Sequence, residues 1–165
     1  MSNLRNKVQL IGNIGNDVEL NVAIEKISQQ LNFNNKLVVH TSGSVSMYDI
    51  PKTLKRGVFY PLQTFSKDVD INFSNVPICI ETINKRDLPV LKQIGEAIGS
   101  KTHKVNSDQR RTLHLAAVFV NNFTNQLYRI AHEITESEGV EFDILKPLIL
   151  ETANKIQNLS PYLAQ

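Results

Sequence analysis

Apolar residues in the first hundred positions alternate between short runs and helically spaced groups. Four short runs predict buried strands, at residues 7–12, 37–40, 76–81 and 102–105. Between them, apolar residues recur at helical spacing over 18–31 and 86–98, which predicts two helices. The stretch 57–65 keeps aromatic residues beside Pro61, so it is expected to be a loop ordered against the core. This alternation of strand and helix predicts an α/β half with a parallel sheet.

Beyond residue 106 the pattern is helical throughout. Ser107 and Asp108 can begin a long helix that runs to about Glu138, and Gly139 can end it. A further helix is predicted over 142–157, provided that Pro147 lies in its first turn, where amide donors are unpaired anyway. The sequence therefore predicts two domains, residues 1–105 and residues 106–165.

The long helix carries a narrow polar stripe. At 100° per residue, His114 lines up with Asn121 and Asn125, and the stripe also includes Arg110, Tyr128 and His132. The opposite side is an apolar seam, made of Ala116, Phe119, Phe123, Leu127, Ile130 and Ile134. Because no lysine or glutamate occurs between Arg111 and Arg129, the stripe is expected to be semi-buried. It faces another subunit, water in a cleft or a ligand, and plain solvent remains the alternative.

A second candidate site follows the predicted strand 37–40. His40, Thr41, Ser42 and Gly43 lie at its carboxyl end, where open α/β sheets place their ligand crevices. An ordinary polar turn is the alternative. Ser42 does not lie in the G-x-S-x-G motif of serine hydrolases, and the histidines lack metal-ligand spacing. These features disfavour a hydrolase and a metal site.

Composition and charge narrow the class of protein. The chain has 165 residues with 41% hydrophobic residues, which is enough for one core or two small lobes. Eighteen basic and sixteen acidic residues are interleaved, which argues against a nucleic-acid partner, and the local basic run 101–111 is expected to be a solvated helix entrance. Cys79 is expected to be a small core residue in a reducing compartment. Without an apolar run of spanning length or a signal core, we expect no membrane association and a cytoplasmic location.

Five segments resemble, in order, a family described as NADP-dependent oxidoreductases: HTSGSVSM, GVFYPLQTFSK, VPICIE, LHLAAVFVNNFTNQLY and FDILKPLILETANK. Members of this family combine a Rossmann-like domain with a helical domain of unknown function. They are distant relatives of pyrroline-carboxylate reductase and the hydroxyacid dehydrogenases. The resemblance covers residues 36–165.

The resemblance implies a fold and a site. Residues 1–105 would form a Rossmann-like dinucleotide-binding domain that lacks internal residues after about residue 15. Residues 106–165 would form an all-α dimerisation and substrate domain that is truncated at its C-terminus. NADP or NAD would be the cofactor, with Gly12, Asn13 and Gly15 as an incomplete phosphate loop and His40, Thr41, Ser42 and Gly43 near the nicotinamide. The substrate side would be lined by His114, Asn121, Asn122 and Asn125, with Gln63 and Glu151 as further contacts.

The resemblance also frames the chemistry. Hydroxyacid dehydrogenases carry a lysine one helical turn before the second asparagine of an Asn-Asn pair, and here that position is Val118. We therefore hypothesise that His114 transfers the proton, assisted by Asn121 and Asn125. The expected function is hydride transfer between a nicotinamide cofactor and a small molecule in a homodimer formed by the C-terminal helices. The alternatives are a non-catalytic ligand-binding module and a structural dimerisation protein.

Overall fold

The computed structural model describes residues 10–11, 22–23, 26, 33–66 and 69–164. Contacts within the chain group it into two compact units, Met1–Ala116 and Ala117–Gln165, which we name the sheet unit and the helical unit. The first part of the long helix therefore groups with the sheet. The predicted domain boundary after residue 105 stays a prediction.

The described part of the sheet unit contains a five-stranded sheet whose strand order follows the chain. The strands are β1 (Leu10–Ile11), β2 (Leu37–His40), β3 (Lys55–Pro61), β4 (Ile78–Thr82) and β5 (Thr102–Lys104). β1 with β2, β2 with β3, and β4 with β5 are parallel pairs, whereas β3 and β4 are antiparallel. The sheet is therefore mixed, and the prediction of a wholly parallel sheet was wrong.

The sequence did not predict β3 as a strand. The stretch 57–65, which keeps aromatic residues beside Pro61, predicts a loop ordered against the core instead. Pro61 is in fact the last residue of β3, where a missing backbone N–H donor is tolerated. Val58, Phe59 and Tyr60 before it are buried, as expected of a central strand rich in branched and aromatic side chains.

Four α-helices are described over their whole length: α1 (Leu88–Ala97), α2 (Ser107–Val118), α3 (Thr124–Ser137) and α4 (Lys146–Asn158). A five-residue π-helical segment, Phe119–Phe123, joins α2 to α3. The strands predicted at 37–40, 76–81 and 102–105 are confirmed, and so are the helices predicted at 86–98 and beyond 106. Pro147 lies in the first turn of α4, as the prediction required. Of the helix predicted over 18–31, only Val22, Ala23 and Lys26 are described, and all three are helical.

The two faces of the sheet bury different sets of residues. One face packs against α1 through Val39, Phe59, Ile78, Ile80 and Leu91. The other face buries Met47, Val58, Tyr60 and Cys79, with Leu113 of α2 packed against them. Because side chains alternate along a strand, the even and odd positions of β3 and β4 separate cleanly between these faces. Tyr60 and Cys79 thereby lie on the face that is covered by α2.

The helical unit leaves many apolar side chains exposed. Its α3 helix ends where Gly139 adopts a φ of 70°, a left-handed conformation that glycine takes without strain. Leu127 and Ile134 are 63% and 61% exposed, and Leu148 on α4 is 63% exposed. Within the described residues, none of the helices combines the length and the apolar character needed to cross a lipid bilayer.

Candidate functional site

The turn that follows β2 is held by its own hydrogen bonds. His40 is buried, and its Nδ1 accepts a hydrogen bond from the Ser42 amide at 3.2 Å. Ser42 Oγ then accepts from the amides of Ser44 and Val45, at 3.3 and 3.2 Å. These side chains replace the ladder partners that the backbone loses at the end of the strand. The turn is therefore rigidly shaped by the residues that the sequence had singled out.

His40 is held in its neutral form. Burial, followed by the charge of Arg110, lowers the pKa of His40 from 6.5 to about 4. The backbone of Ser46 acts in the opposite direction. Since Nδ1 accepts from Ser42, the proton of the neutral ring is assigned to Nε2. That nitrogen is buried and has no hydrogen-bond partner among the described residues.

A buried ion pair fastens the start of α2 to the end of β4. Arg110, whose side chain is 1% exposed, donates from NH1 to Glu81 Oε2 at 2.8 Å. Ser107 completes the cluster, because its amide and hydroxyl donate to the two Glu81 oxygens at 3.0 and 2.8 Å. A charge-assisted network of this kind offsets the cost of burying the guanidinium group, although Arg110 Nε has no hydrogen-bond partner among the described residues.

The same cluster also forms hydrogen bonds to the turn after β2. Arg110 also donates to the carbonyl oxygen of Val45, and Ser107 Oγ accepts from the Met47 amide at 3.3 Å. The expectation of a solvated helix entrance at 101–111 was therefore wrong at Arg110. This side chain is recruited into the core because a carboxylate and an unpaired carbonyl group both need a cation there.

His114 lies directly against the turn. Its Nδ1 is 3.1 Å from Tyr60 Oη on β3, and the two rings meet edge to face. A Cβ atom placed on Gly43 would lie 2.5 Å from His114 Nδ1 and 2.9 Å from Tyr60 Cζ. Only glycine fits at that position. The structure thus brings together His40, Ser42, Gly43 and His114 at one edge of the sheet unit.

Other predicted site residues fall elsewhere. Gln63 is exposed, and its side-chain oxygen accepts from the Thr64 amide. Asn121, Asn122 and Asn125 belong to the helical unit and are exposed there, as is Glu151 on α4. Their assigned roles stay predictions. The predicted phosphate-loop residues Gly12, Asn13 and Gly15 lie outside the described residues.

The π-helical segment alters the geometry on which the polar stripe was drawn. Phe119–Phe123 takes a wider turn than an α-helix, so equal steps of 100° do not apply across it. The asparagines within and just after this segment interact with one another: Asn121 donates to Asn122 at 2.9 Å, and Asn125 to Asn121 at 3.5 Å. Within the single chain Arg110 is buried, His114 is half-buried and the asparagines are exposed, so cover of the asparagines by a partner or a ligand stays a prediction.

Two residues of this site were not found from the sequence. Tyr60 was assigned to an ordered aromatic loop, and nothing in its spacing pointed to His114, which lies 54 positions away. Glu81 had a visible signal, since it is a carboxylate at the end of the apolar run VPICIE, and such a charge beside a core usually needs a partner. Cys79 is a buried free cysteine, as predicted.

Comparison with known proteins now identifies the family. The model of a domain of unknown function, DUF2520, matches residues 76–165, which is more than half of the chain. The chain belongs to the DUF2520 family. The matched region begins just before β4 and includes Glu81, Arg110 and His114. No curated protein matches the chain.

Two solved structures show the fold of this DUF2520 chain. A "putative NADP oxidoreductase" from Bacteroides fragilis is 34% identical with a TM-score of 0.81, over 97% of this chain and 63% of that one. A Thermotoga maritima protein is 24% identical with a TM-score of 0.69, over 85% and 57% of the two chains. The chain thus spans less than two thirds of either neighbour. The family resemblance and the fold, an incomplete Rossmann-like sheet followed by helices, are confirmed.

Proposed function

We propose that this chain is an oxidoreductase that uses NADP or NAD and reduces or oxidises a small molecule beside the turn after β2. The position of His114 carries the proposal. It is half-buried, lies against Gly43 and reaches the carboxyl edge of the parallel pair β2–β3, where open α/β sheets bind their ligands. The name of the B. fragilis neighbour supports the same class of chemistry.

The described residues fit the nicotinamide end of such a cofactor. His40 Nε2 is a buried donor without a partner among the described residues, and buried polar groups normally have one. His40, Thr41, Ser42 and Gly43 would hold this end, while Gly12, Asn13 and Gly15 are proposed for the phosphates. When bound, the nicotinamide would supply or accept the hydride. His114 would supply or accept the proton, and the buried ion pair of Arg110 would keep the turn in place.

Cofactor titration tests this proposal directly. The purified full chain is titrated with NADPH and NADH, and the nicotinamide fluorescence is followed. We expect saturable binding of one of them. A panel of oxo acids and cyclic imines is then assayed for oxidation of that cofactor. His114→Gln is expected to keep cofactor binding and to lose about 100-fold or more in turnover, whereas the exposed His132→Gln serves as the matched control.

Two results would overturn the catalytic proposal. Absence of binding for both dinucleotides removes hydride transfer, and unchanged turnover in His114→Gln removes His114 from the reaction. The second candidate function is then a non-catalytic ligand-binding or dimerisation module. One observation favours it: the turn after β2 already satisfies many of its own polar groups.

Asn121, Asn122 and Asn125 are proposed to contact the substrate, with Gln63 and Glu151 as further contacts. In support, amide side chains can both donate and accept hydrogen bonds, and all of these side chains are exposed. Asn125→Ala is expected to raise KM for an identified substrate by about 10-fold, since a lost hydrogen bond costs about 1 kcal/mol or somewhat more. Asn158→Ala near the end of α4 is the control, and an unchanged KM in Asn125→Ala would contradict the assignment.

We further propose that a second copy of the chain covers the apolar side chains of the helical unit. Leu127, Ile134 and Leu148 are each more than 60% exposed, and monomeric proteins rarely leave large contiguous apolar patches open. Sedimentation of the full chain is expected to give a dimer. Leu127→Glu should yield monomers, whereas Ile83→Glu in the sheet unit should not. A monomeric wild-type chain would contradict this proposal.

A further inference from the structure

Tyr60 and His114 form a hydrogen-bonded pair across the sheet unit. Tyr60 Oη and His114 Nδ1 are 3.1 Å apart, and the ring centroids are 6.1 Å apart with an angle of 75° between the planes. Tyr60 comes from the end of β3 and His114 from α2, so the pair exists only in the folded chain. One nitrogen of the His114 ring is thereby engaged.

Gly43 packs against both rings of this pair. A Cβ at Gly43 would lie 2.5 Å from His114 Nδ1, 2.7 Å from His114 Cγ and 2.9 Å from Tyr60 Cζ. All three distances are below those that real side chains tolerate, so any substitution must displace a ring. The turn that is proposed to hold the nicotinamide end and the Tyr60–His114 pair are therefore one packed unit.

The surroundings of Tyr60 keep its hydroxyl group protonated. Burial raises the pKa of Tyr60, and the neighbouring Cys79 raises it further, whereas the charge of Arg110 opposes them. A protonated hydroxyl can donate to Nδ1, and an imidazole that accepts at Nδ1 carries its own proton on Nε2. His114 is half-buried, and its Nε2 has no hydrogen-bond partner among the residues that the structure describes.

We infer that Tyr60 is a positioning residue for His114: its hydroxyl keeps the proton of the neutral imidazole on Nε2, the ring nitrogen that is left for the substrate. The inference rests on the proposed function for the reaction itself. It narrows the substrate class to carbonyl or imine compounds, since these need a proton on oxygen or nitrogen once the carbon has accepted a hydride. In that direction the His114 Nε2–H bond breaks and the substrate O–H or N–H bond forms. Solvent water then returns a proton to Nε2 and leaves as hydroxide, while Tyr60 keeps its own proton and continues to donate to Nδ1.

Nitrogen NMR of the full chain labelled with ¹⁵N-histidine tests the tautomer without any cofactor. The chain has four histidines, and His114→Gln identifies the signals that belong to His114. At neutral pH, we expect a protonated Nε2 and a hydrogen-bonded, unprotonated Nδ1. A wild-type spectrum with the His114 proton on Nδ1 would overturn the inference.

Tyr60→Phe removes the hydroxyl group and keeps the ring. We expect the His114 Nδ1 signal to move toward that of free imidazole, and kcat to fall about 10-fold with KM changed less than 2-fold, since positioned proton transfer contributes 10²-fold or more. Tyr48→Phe is the matched control, because Tyr48 is 63% exposed. Gly43→Ala is expected to move the same NMR signal, because the added Cβ displaces the pair.

The outcomes separate this inference from the proposed function. If the His114 signals do not move in Tyr60→Phe while the variant stays folded, the positioning role is wrong, even where dinucleotide binding persists. If neither dinucleotide binds but the tautomer is as expected, hydride transfer fails and the pairing of Tyr60 with His114 survives. A kcat that falls equally in Tyr60→Phe and Tyr48→Phe also counts against a specific role of Tyr60.

Discussion

The two units of this chain treat polar and apolar side chains in opposite ways. The sheet unit buries polar side chains, since Arg110 and His40 are each 1% exposed and each forms hydrogen bonds inside the unit. The helical unit exposes apolar residues, among them Leu127 at 63% and Ile134 at 61%. The sheet unit therefore pairs most of its buried polar groups within itself and leaves two, His40 Nε2 and Arg110 Nε, without a partner among the described residues. The helical unit exposes apolar surface, which we propose is covered by a second copy of the chain.

Removing the buried cation should have the largest effect on stability. Arg110→Met leaves Glu81 and the Val45 carbonyl group without their partner, so we expect a loss of about 3–5 kcal/mol in the free energy of unfolding. Arg129→Met is the control in the helical unit. Its pair with Glu133 joins side chains that are 66% and 61% exposed, so less than about 0.5 kcal/mol is expected. Urea denaturation followed by circular dichroism measures both variants, and equal losses would erase the contrast between the units.

Truncation of apolar side chains should have the next largest effect on the free energy of unfolding, and the effect should differ between the two units. Ile80, which is 0% exposed, packs between the sheet and α1, and Ile80→Ala is expected to cost about 2–4 kcal/mol. Leu148→Ala should cost less than about 0.5 kcal/mol at dilutions where the chain is monomeric. Denaturation at two protein concentrations checks this. If Leu148→Ala destabilises the dilute chain as much as Ile80→Ala, the helical side chains are packed inside one chain.

Acid should weaken the sheet unit through His40. Its pKa is about 4 when folded and 6.5 in the ordinary case, so the unfolded chain binds the proton first as the pH falls. Stability should therefore decrease between pH 6.5 and 4, with a slope of up to about 1.4 kcal/mol per pH unit from this group. In His40→Gln this part of the slope should vanish, whereas His132→Gln on exposed α3 should retain it. Denaturation at pH 7, 5.5 and 4.5 tests the expectation, and an unchanged slope in His40→Gln would contradict it.

Elements of the fold that depend on local sequence signals could be predicted, whereas those that depend on contacts between distant residues could not. The run LVVH predicted β2 to the residue because branched apolar side chains and a following turn are local signals. β3 was not predicted because the stretch around Pro61 was expected to be an ordered loop. Its antiparallel pairing with β4 depends on contacts between distant residues, which the spacing of apolar residues does not show. The spacing of apolar residues does not distinguish the π-helical segment from an α-helix, so the sequence predicted one uniform helix there.

The candidate site divides in the same way. His40, Ser42 and Gly43 were found because a polar turn after a buried strand is visible in the sequence. Tyr60 and Glu81 were missed because their importance comes from His114 and Arg110, which are distant in sequence and meet them only in the fold. Gly43 was assigned to the cofactor, yet the structure gives a second reason for a glycine, the close approach of two rings.

The order of strands in the sheet bears on how such a chain can change length in evolution. Each described strand lies beside the one that precedes it in sequence, and β1 pairs directly with β2. A longer segment inserted between β1 and β2 could add strands on the side of β1 that faces away from β2 without separating any pair of described strands. A module can therefore be gained or lost at that edge while the neighbouring turn, its ion pair and the histidine on the long helix keep their places.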